Sequence, residues 1–256
     1  MKHITFYFDP ISPYAHLAFE QLPQALIGHS YQVSYKPVLF GALLKHFGQL
    51  GPAEMPGKRD WTYRQVLWLA QRHGIELQLP AAHPFNSLAL LRLAVACDPQ
   101  GLPNRYVCES LLRHVWRGGG EAADPQRLAT LTAQLAPARD PASAAVKADL
   151  QTHTADAIAR GVFGVPTLAV DDRLFWGFDA LPMLADYLAG SPWFAGPQWD
   201  AAAQLPVGVT RTVSRGGRLA VGAASAPGQP AVAVGQTHQM RPVGAFVRWQ
   251  RGQDRQ

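Results

Sequence analysis

The chain has 256 residues, 48% of them apolar and 16% charged, the composition of a globular protein with room for one large domain or a domain carrying an insertion. No apolar run nears the ~20 residues of a membrane span, and the two cysteines, Cys97 and Cys108, form neither a CxxC pair nor a metal set. The formal charge of +5 invites a nucleic-acid reading, yet it is carried entirely by residues 212–256, where six arginines face the single acid Asp254; residues 1–211 are neutral.

Ile4, Phe6 and Phe8 alternate as a first strand that Asp9-Pro10 breaks. Met1 to Ile4 enter that strand with no signal-peptide core, so a cytoplasmic location is expected. Ser12 is a good N-cap and Pro13 suits the first helical position, where its missing N–H costs nothing. Leu17, Phe19, Leu22 and Leu26 then mark a buried helix face, closed by Gly28. The result is a serine hydroxyl on the positive end of a helix at the end of a strand, a place to hold an anion.

Tyr31 to Lys36 alternate as a second strand stopped by Pro37, and Val38 to Phe47 turn helical. A Pro/Gly-rich loop, Gly51 to Gly57, leads past Lys58 and Arg59 to Asp60, read as the cap of a helix that runs through His73. Ile75 to Leu79 is expected to be extended. Four helices follow: from Asn86 or Ser87 to about Cys97, from Leu102-Pro103 to Gly118, from Asp124-Pro125, and from Asp140-Pro141 to Gly161. The period then reverts to two. Thr167–Val170 and Arg173–Trp176 form a hairpin with Asp171-Asp172 at its turn, and Asp179 begins a last helix through Leu188. Beyond Pro206 no period is sustained.

The order βαβ, helical block, ββα assigns the chain to the α/β class: one four-stranded sheet with a large all-helical insertion. Residues 1–37 and 162–211 make the sheet domain and residues 38–161 the insertion. Residues 212–256, rich in Gly, Ala and Pro, read as a low-complexity, disordered tail.

That order, together with Gly164-Val165-Pro166-Thr167 before the third strand, resembles the thioredoxin-type fold. The resemblance implies a cis-proline at Pro166, packed against the first helix's N-terminus. A thiol oxidoreductase on that fold needs a thiolate at the helix start; Pro10-Ile11-Ser12-Pro13 has no sulfur there. The motifs Phe8-Asp9-Pro10-Ile11-Ser12-Pro13-Tyr14-Ala15, Tyr35-Lys36-Pro37, His83-Pro84-Phe85-Asn86 and Phe175-Trp176-Gly177-Phe178-Asp179 more closely resemble 2-hydroxychromene-2-carboxylate isomerases and kappa-class glutathione transferases. The likeness covers about residues 1–210.

It implies glutathione as cofactor, a small aromatic carboxylate as substrate and a homodimer, with neither nucleic acid nor membrane as partner. By position, Ser12 holds the glutathione sulfur and Val165, beside Pro166, pairs with the cysteinyl unit as an added strand edge. Asp179 takes the γ-glutamyl amine, Lys58 a carboxylate and Gln49 the peptide, while Lys36 and Tyr14 face the aromatic substrate. Phe178 stands where relatives have a small polar residue. Tyr14, Phe40, Trp61, Tyr63 and Trp68 are candidates for an aromatic lining, and His16, His73 and His83 are given structural or surface roles.

The physics agrees with the likeness. Bringing a thiol from a pKa of about 8.5 to mostly thiolate at pH 7 takes roughly 2.7 kcal/mol. A helix N-terminus supplies about 0.3–2 kcal/mol, and a hydroxyl donating to a charged acceptor roughly 1.5–3 kcal/mol. The expected activity is glutathione-dependent cis–trans isomerisation of 2-hydroxychromene-2-carboxylate. A kappa-type transferase or peroxidase and a non-catalytic glutathione-binding module are the alternatives.

Overall fold

The computed structural model describes residues 1–213 and 219–223. Residues Met1–Phe194 form one unit, and the described residues from Ala195 onward belong to a second. In the first unit, strand β1 (Lys2–Phe8) pairs in parallel with β2 (Tyr31–Pro37) across the helix α1 (Pro13–Ala25). Strands β3 (Thr167–Val170) and β4 (Arg173–Trp176) form the expected hairpin, and β3 runs antiparallel to β1, with Tyr7 opposite Thr167. The sheet order is β2-β1-β3-β4. This is the four-stranded sheet with helical insertion that the period changes imply.

Alternation decides which side chains meet. Ile4, Phe6 and Phe8 are fully buried on one face, where the rings of Phe6, Phe19 and Tyr35 cluster against α1. Tyr7 and Ala169 point to the other face and pack with Val38, Leu43, Ala157 and Val165.

Between β2 and β3 lie α2 (Phe40–His46), α3 (Lys58–His73), α4 (Leu88–Ala96), α5 (Arg105–Trp116), α6 (Pro125–Leu135) and α7 (Ala144–Ala159). Several caps differ from the sequence expectation. Helix α3 starts one residue after Gly57, whose φ of 76° few side chains tolerate, so Asp60 falls in the first turn and does not cap. Asn104, not Leu102-Pro103, opens α5 by accepting from Val107 N–H. Asp140 closes a turn onto Ala142 N–H and leaves the capping of α7 to Ser143. The Asp124-Pro125 start is as read.

Ile75–Leu79 joins no ladder; Gln78 N–H instead donates to Trp116 C=O at 2.6 Å. Asp179 sits in a 3₁₀ turn, Phe178–Ala180, ahead of α8 (Leu181–Leu188).

The second unit carries α9 (Pro197–Ala203) and an antiparallel ladder of β5 (Val209–Val213) and β6 (Leu219–Ala223). The expected tail boundary at 212 thus falls inside a strand. The low-complexity reading passed over two five-residue strands whose ladder does not depend on a long apolar period. The rest of that segment, residues 214–218 and 224–256, lies outside the described residues.

Candidate functional site

The site grows from the end of β1. Asp9 is fully buried, and each of its carboxylate oxygens is used: Oδ1 accepts from Ile11 N–H at 3.0 Å, and Oδ2 accepts from Phe40 N–H and Ser87 Oγ–H, both at 3.0 Å. One side chain therefore ties the strand end to the first turn of α2 and to the cap residue of α4. Burial pushes its carboxyl up to about 6, against the pull of those hydrogen bonds. Asp9 carries no role in the sequence reading beyond ending the strand, since two of its partners lie 31 and 78 residues away.

The turn that follows leaves no backbone group unpaired. Asp9 C=O accepts from Ser12 N–H at 3.0 Å, and Pro10 C=O from the indole Nε1–H of the buried Trp116 at 2.8 Å. Ile11 C=O accepts from His83 Nε2 at 2.8 Å. Since a carbonyl only accepts, that nitrogen carries the proton, and Nδ1 is free to accept from Tyr63 Oη–H at 2.7 Å. Burial holds His83 below the usual imidazole range, with Arg59 adding to the effect, so the ring is neutral at pH 7.

Ser12 is 6% exposed and caps α1, its Oγ accepting from Ala15 N–H at 3.2 Å. The hydroxyl proton is donated to Val165 C=O at 3.1 Å. Val165 and Pro166 are buried, and the bond between them is cis, as is His83–Pro84. Pro166 C=O accepts from Gly177 N–H at 2.9 Å, which places the Phe178–Ala180 turn beside the cis-proline. Gly177 has φ 96°, and a Cβ there would come within 2.5 Å of Asp179 Oδ1, so only glycine lets that carboxylate fold back over the chain.

Asp179 is exposed, and its charge joins burial in raising the Tyr14 phenol. Tyr14 is half-buried and donates to Gln65 Oε1 on α3 at 2.7 Å. Ser12, Val165, Pro166, Asp179 and Tyr14 are thus gathered at the N-terminus of α1. Phe178 is buried edge-on against His73, with ring centres 5.1 Å apart. It packs where the resemblance implies a small polar residue.

Three other expected residues lie on other elements, each with partners of its own or exposed. Gln49 is exposed after α2, its N–H donating to Leu44 C=O, and Lys58 is exposed at the first position of α3. Lys36 lies opposite Tyr7 on the sheet face covered by α7, with its amine 3.0 Å from Asp156 Oδ2. Of the aromatic candidates, Phe40 packs into the core beside Tyr7, Tyr63 is held by His83, and Trp61 and Trp68 are exposed.

The donor set suits a thiolate. The helix N-terminus and a rotatable buried hydroxyl face the site, and the neighbouring carboxylate, Asp9, already has both oxygens committed.

The family model for the DSBA-like thioredoxin domain matches residues 3–189. The chain belongs to that family. Among its DSBA-like relatives is glutathione S-transferase kappa 2 of Caenorhabditis elegans, 28% identical over 220 residues, covering 77% of this chain and 95% of that protein. The 2-hydroxychromene-2-carboxylate isomerase of Pseudomonas sp. (strain C18) is 28% identical over 199 residues, covering 74% and 91%. A solved structure of a 2-hydroxychromene-2-carboxylate isomerase superposes with a TM-score of 0.63 at 24% identity, covering 80% of this chain and all of that one. In this chain the DSBA-like sheet holds the helical block between β2 and β3.

Proposed function

We propose that this protein is a glutathione-dependent cis–trans isomerase that converts 2-hydroxychromene-2-carboxylate to trans-o-hydroxybenzylidenepyruvate. The observation that carries the reading is Ser12. A DSBA-like helix start without cysteine presents a buried hydroxyl beside a cis-proline. Relatives named as isomerase and as kappa transferase at the same level of identity support glutathione as the shared thiol.

Glutathione, when bound, would supply a thiolate able to act as a reversible nucleophile toward a conjugated substrate without being consumed. The chain's part is electrostatic. Ser12 rotates its O–H from Val165 C=O to the sulfur, and Val165 C=O accepts the cysteinyl N–H in exchange. A buried carbonyl left bare would cost about 1–3 kcal/mol, so the exchange favours a peptide thiol over a simple one. Asp179 takes the γ-glutamyl amine, Lys58 a glutathione carboxylate and Gln49 the peptide. Lys36 and Tyr14 receive the aromatic acid, for which Lys36 must be shared with Asp156. The working form in this reading is a cytoplasmic homodimer.

A second reading, conjugation of the thiolate to aromatic electrophiles or reduction of peroxides, is favoured by the match to the kappa transferase. Glutathione balance decides between them. Turnover of 2-hydroxychromene-2-carboxylate with no loss of thiol supports the isomerase, and thiol consumption with 1-chloro-2,4-dinitrobenzene supports the transferase. Binding of glutathione without either reaction leaves a non-catalytic module. Isomerisation without glutathione, or undiminished in Ser12→Ala, sinks the thiolate mechanism.

A further inference from the structure

The Asp9–Ser12 turn is held from outside the sheet, and two of its clamps come from the helical block. The peptide unit between Ile11 and Ser12 is gripped at both ends: His83 Nε2–H holds its carbonyl at 2.8 Å, and its N–H donates to Asp9 C=O at 3.0 Å. The preceding unit is gripped likewise, by Trp116 on Pro10 C=O and by Asp9 Oδ1 on Ile11 N–H. Fixing the Ile11–Ser12 plane fixes one of the two peptide planes that flank the Ser12 Cα, and with it the direction in which Oγ leaves the backbone.

The clamp is itself supported. Tyr63 Oη lies 2.7 Å from Nδ1 and 3.3 Å from His83 C=O, Arg59 reaches the same carbonyl at 3.1 Å and lies over the Tyr63 ring, and His83 packs against Trp116 with ring centres 5.5 Å apart. We propose that His83 is a positioning residue for Ser12, holding through the Ile11 carbonyl the geometry in which the hydroxyl meets a thiolate. The helical block then does more than cover the sheet: it sets the aim of the site's one essential hydroxyl. Within this network the Ile11 carbonyl sets the tautomer and Tyr63 holds the ring.

This inference rests on the glutathione reading of the site, and its test separates the two. The bound thiol's pKa is read from thiolate absorbance against pH, alongside the glutathione Kd and the thermal midpoint, for wild type, His83→Ala, His83→Gln and Tyr63→Phe. A thiol in wild type that stays near about 8.5 overturns the glutathione reading of the site. With a lowered wild-type value, His83→Ala should raise the bound-thiol pKa by about one unit, roughly threefold less thiolate at neutral pH, with only a small change in Kd. His83→Gln, whose amide still donates to Ile11 C=O, should recover most of that loss. Tyr63→Phe should shift it in the same direction by less.

A fall in thermal midpoint with an unchanged thiol pKa in all three variants would assign His83 to packing alone. The free protein offers an independent readout in imidazole nitrogen NMR, which should find Nε2 protonated and Nδ1 accepting. A proton on Nδ1, or rapid averaging between the two nitrogens, overturns the clamp whatever the ligand does.

Discussion

Two segments drawn into the same site are built in opposite ways. The Asp9–Ser12 turn is largely buried; its own groups close it through Asp9, and two of its carbonyls are held by Trp116 and His83 from the helical block. The stretch from Gln49 to Lys58 is largely exposed, bonded mostly to itself through Glu54 on Gly51 N–H and short-range backbone contacts. The turn is prearranged, so a hydroxyl aimed there needs no reorganisation when negative charge arrives. The loop offers long side chains in high dielectric, where each contact is worth little. Catalysis should therefore depend on the turn, and affinity only weakly on the loop.

The strongest break of this contrast is Asp9→Ala. It strands Ile11 N–H, Phe40 N–H and Ser87 O–H in a buried setting, at about 1–3 kcal/mol each. Loss of several kcal/mol in denaturant midpoint, or failure to accumulate folded protein, is expected. A milder variant adds a pH signature. Burial raises the Asp9 carboxyl from 3.8 to about 6, so the folded state binds its proton more tightly than the unfolded chain does. The stabilisation from that proton is complete below about pH 4 and is lost as the pH rises through 6. On the order of 3 kcal/mol separates the two limits. Wild type should accordingly gain on Asp9→Asn as pH falls from 7 to 4 in urea melts; parallel pH profiles would show that Asp9 does not titrate there.

Next in size is Ser12→Ala. Removing a donor to a charged sulfur costs roughly 1.5–3 kcal/mol, one to two units in the bound thiol's pKa. Turnover should fall by about 10- to 100-fold at neutral pH. Stability should fall as well, by ~1 kcal/mol for the lost N-cap and about 1–3 kcal/mol for the Val165 C=O left without its donor. Trp116→Phe should separate the two effects. It leaves Pro10 C=O without its buried donor and costs about 1–3 kcal/mol of stability. With His83 and Asp9 still gripping the turn, thiol pKa should move less than in Ser12→Ala.

What the chain discloses before its structure follows the same divide. The strand, the Ser12 cap, Pro13 at the first helical position and the hairpin at Asp171-Asp172 are local patterns, and each is where its pattern implies. Pro166 beside Ser12 came from a family resemblance and not from any period. The clamps were out of reach because they are non-local: His83 and Trp116 meet the turn from 72 and 106 residues away. His83 had only a structural or surface role because a histidine's spacing says nothing about what its two nitrogens bridge. Lys36 reads as a substrate residue because strand ends gather at the site; its place opposite Tyr7 and its pairing with Asp156 of α7, 120 residues away, are set by register and packing that no local pattern discloses.

The exposed loop provides the gentlest test and the one that sharpens the contrast. Lys58→Ala removes one solvated cation from the first turn of α3, where a positive charge opposes the helix dipole. Its loss should leave thermal stability unchanged or slightly raised. A surface charge pair is worth about 0.2–1 kcal/mol, so glutathione Kd should rise at most about fivefold. That effect should fade in 1 M salt, where the Debye length is about 3 Å. Isothermal titration at two ionic strengths measures it. A loss of turnover at saturating glutathione, comparable to that of Ser12→Ala, would mean the loop takes part in the chemistry and the division of labour between the two segments is wrong.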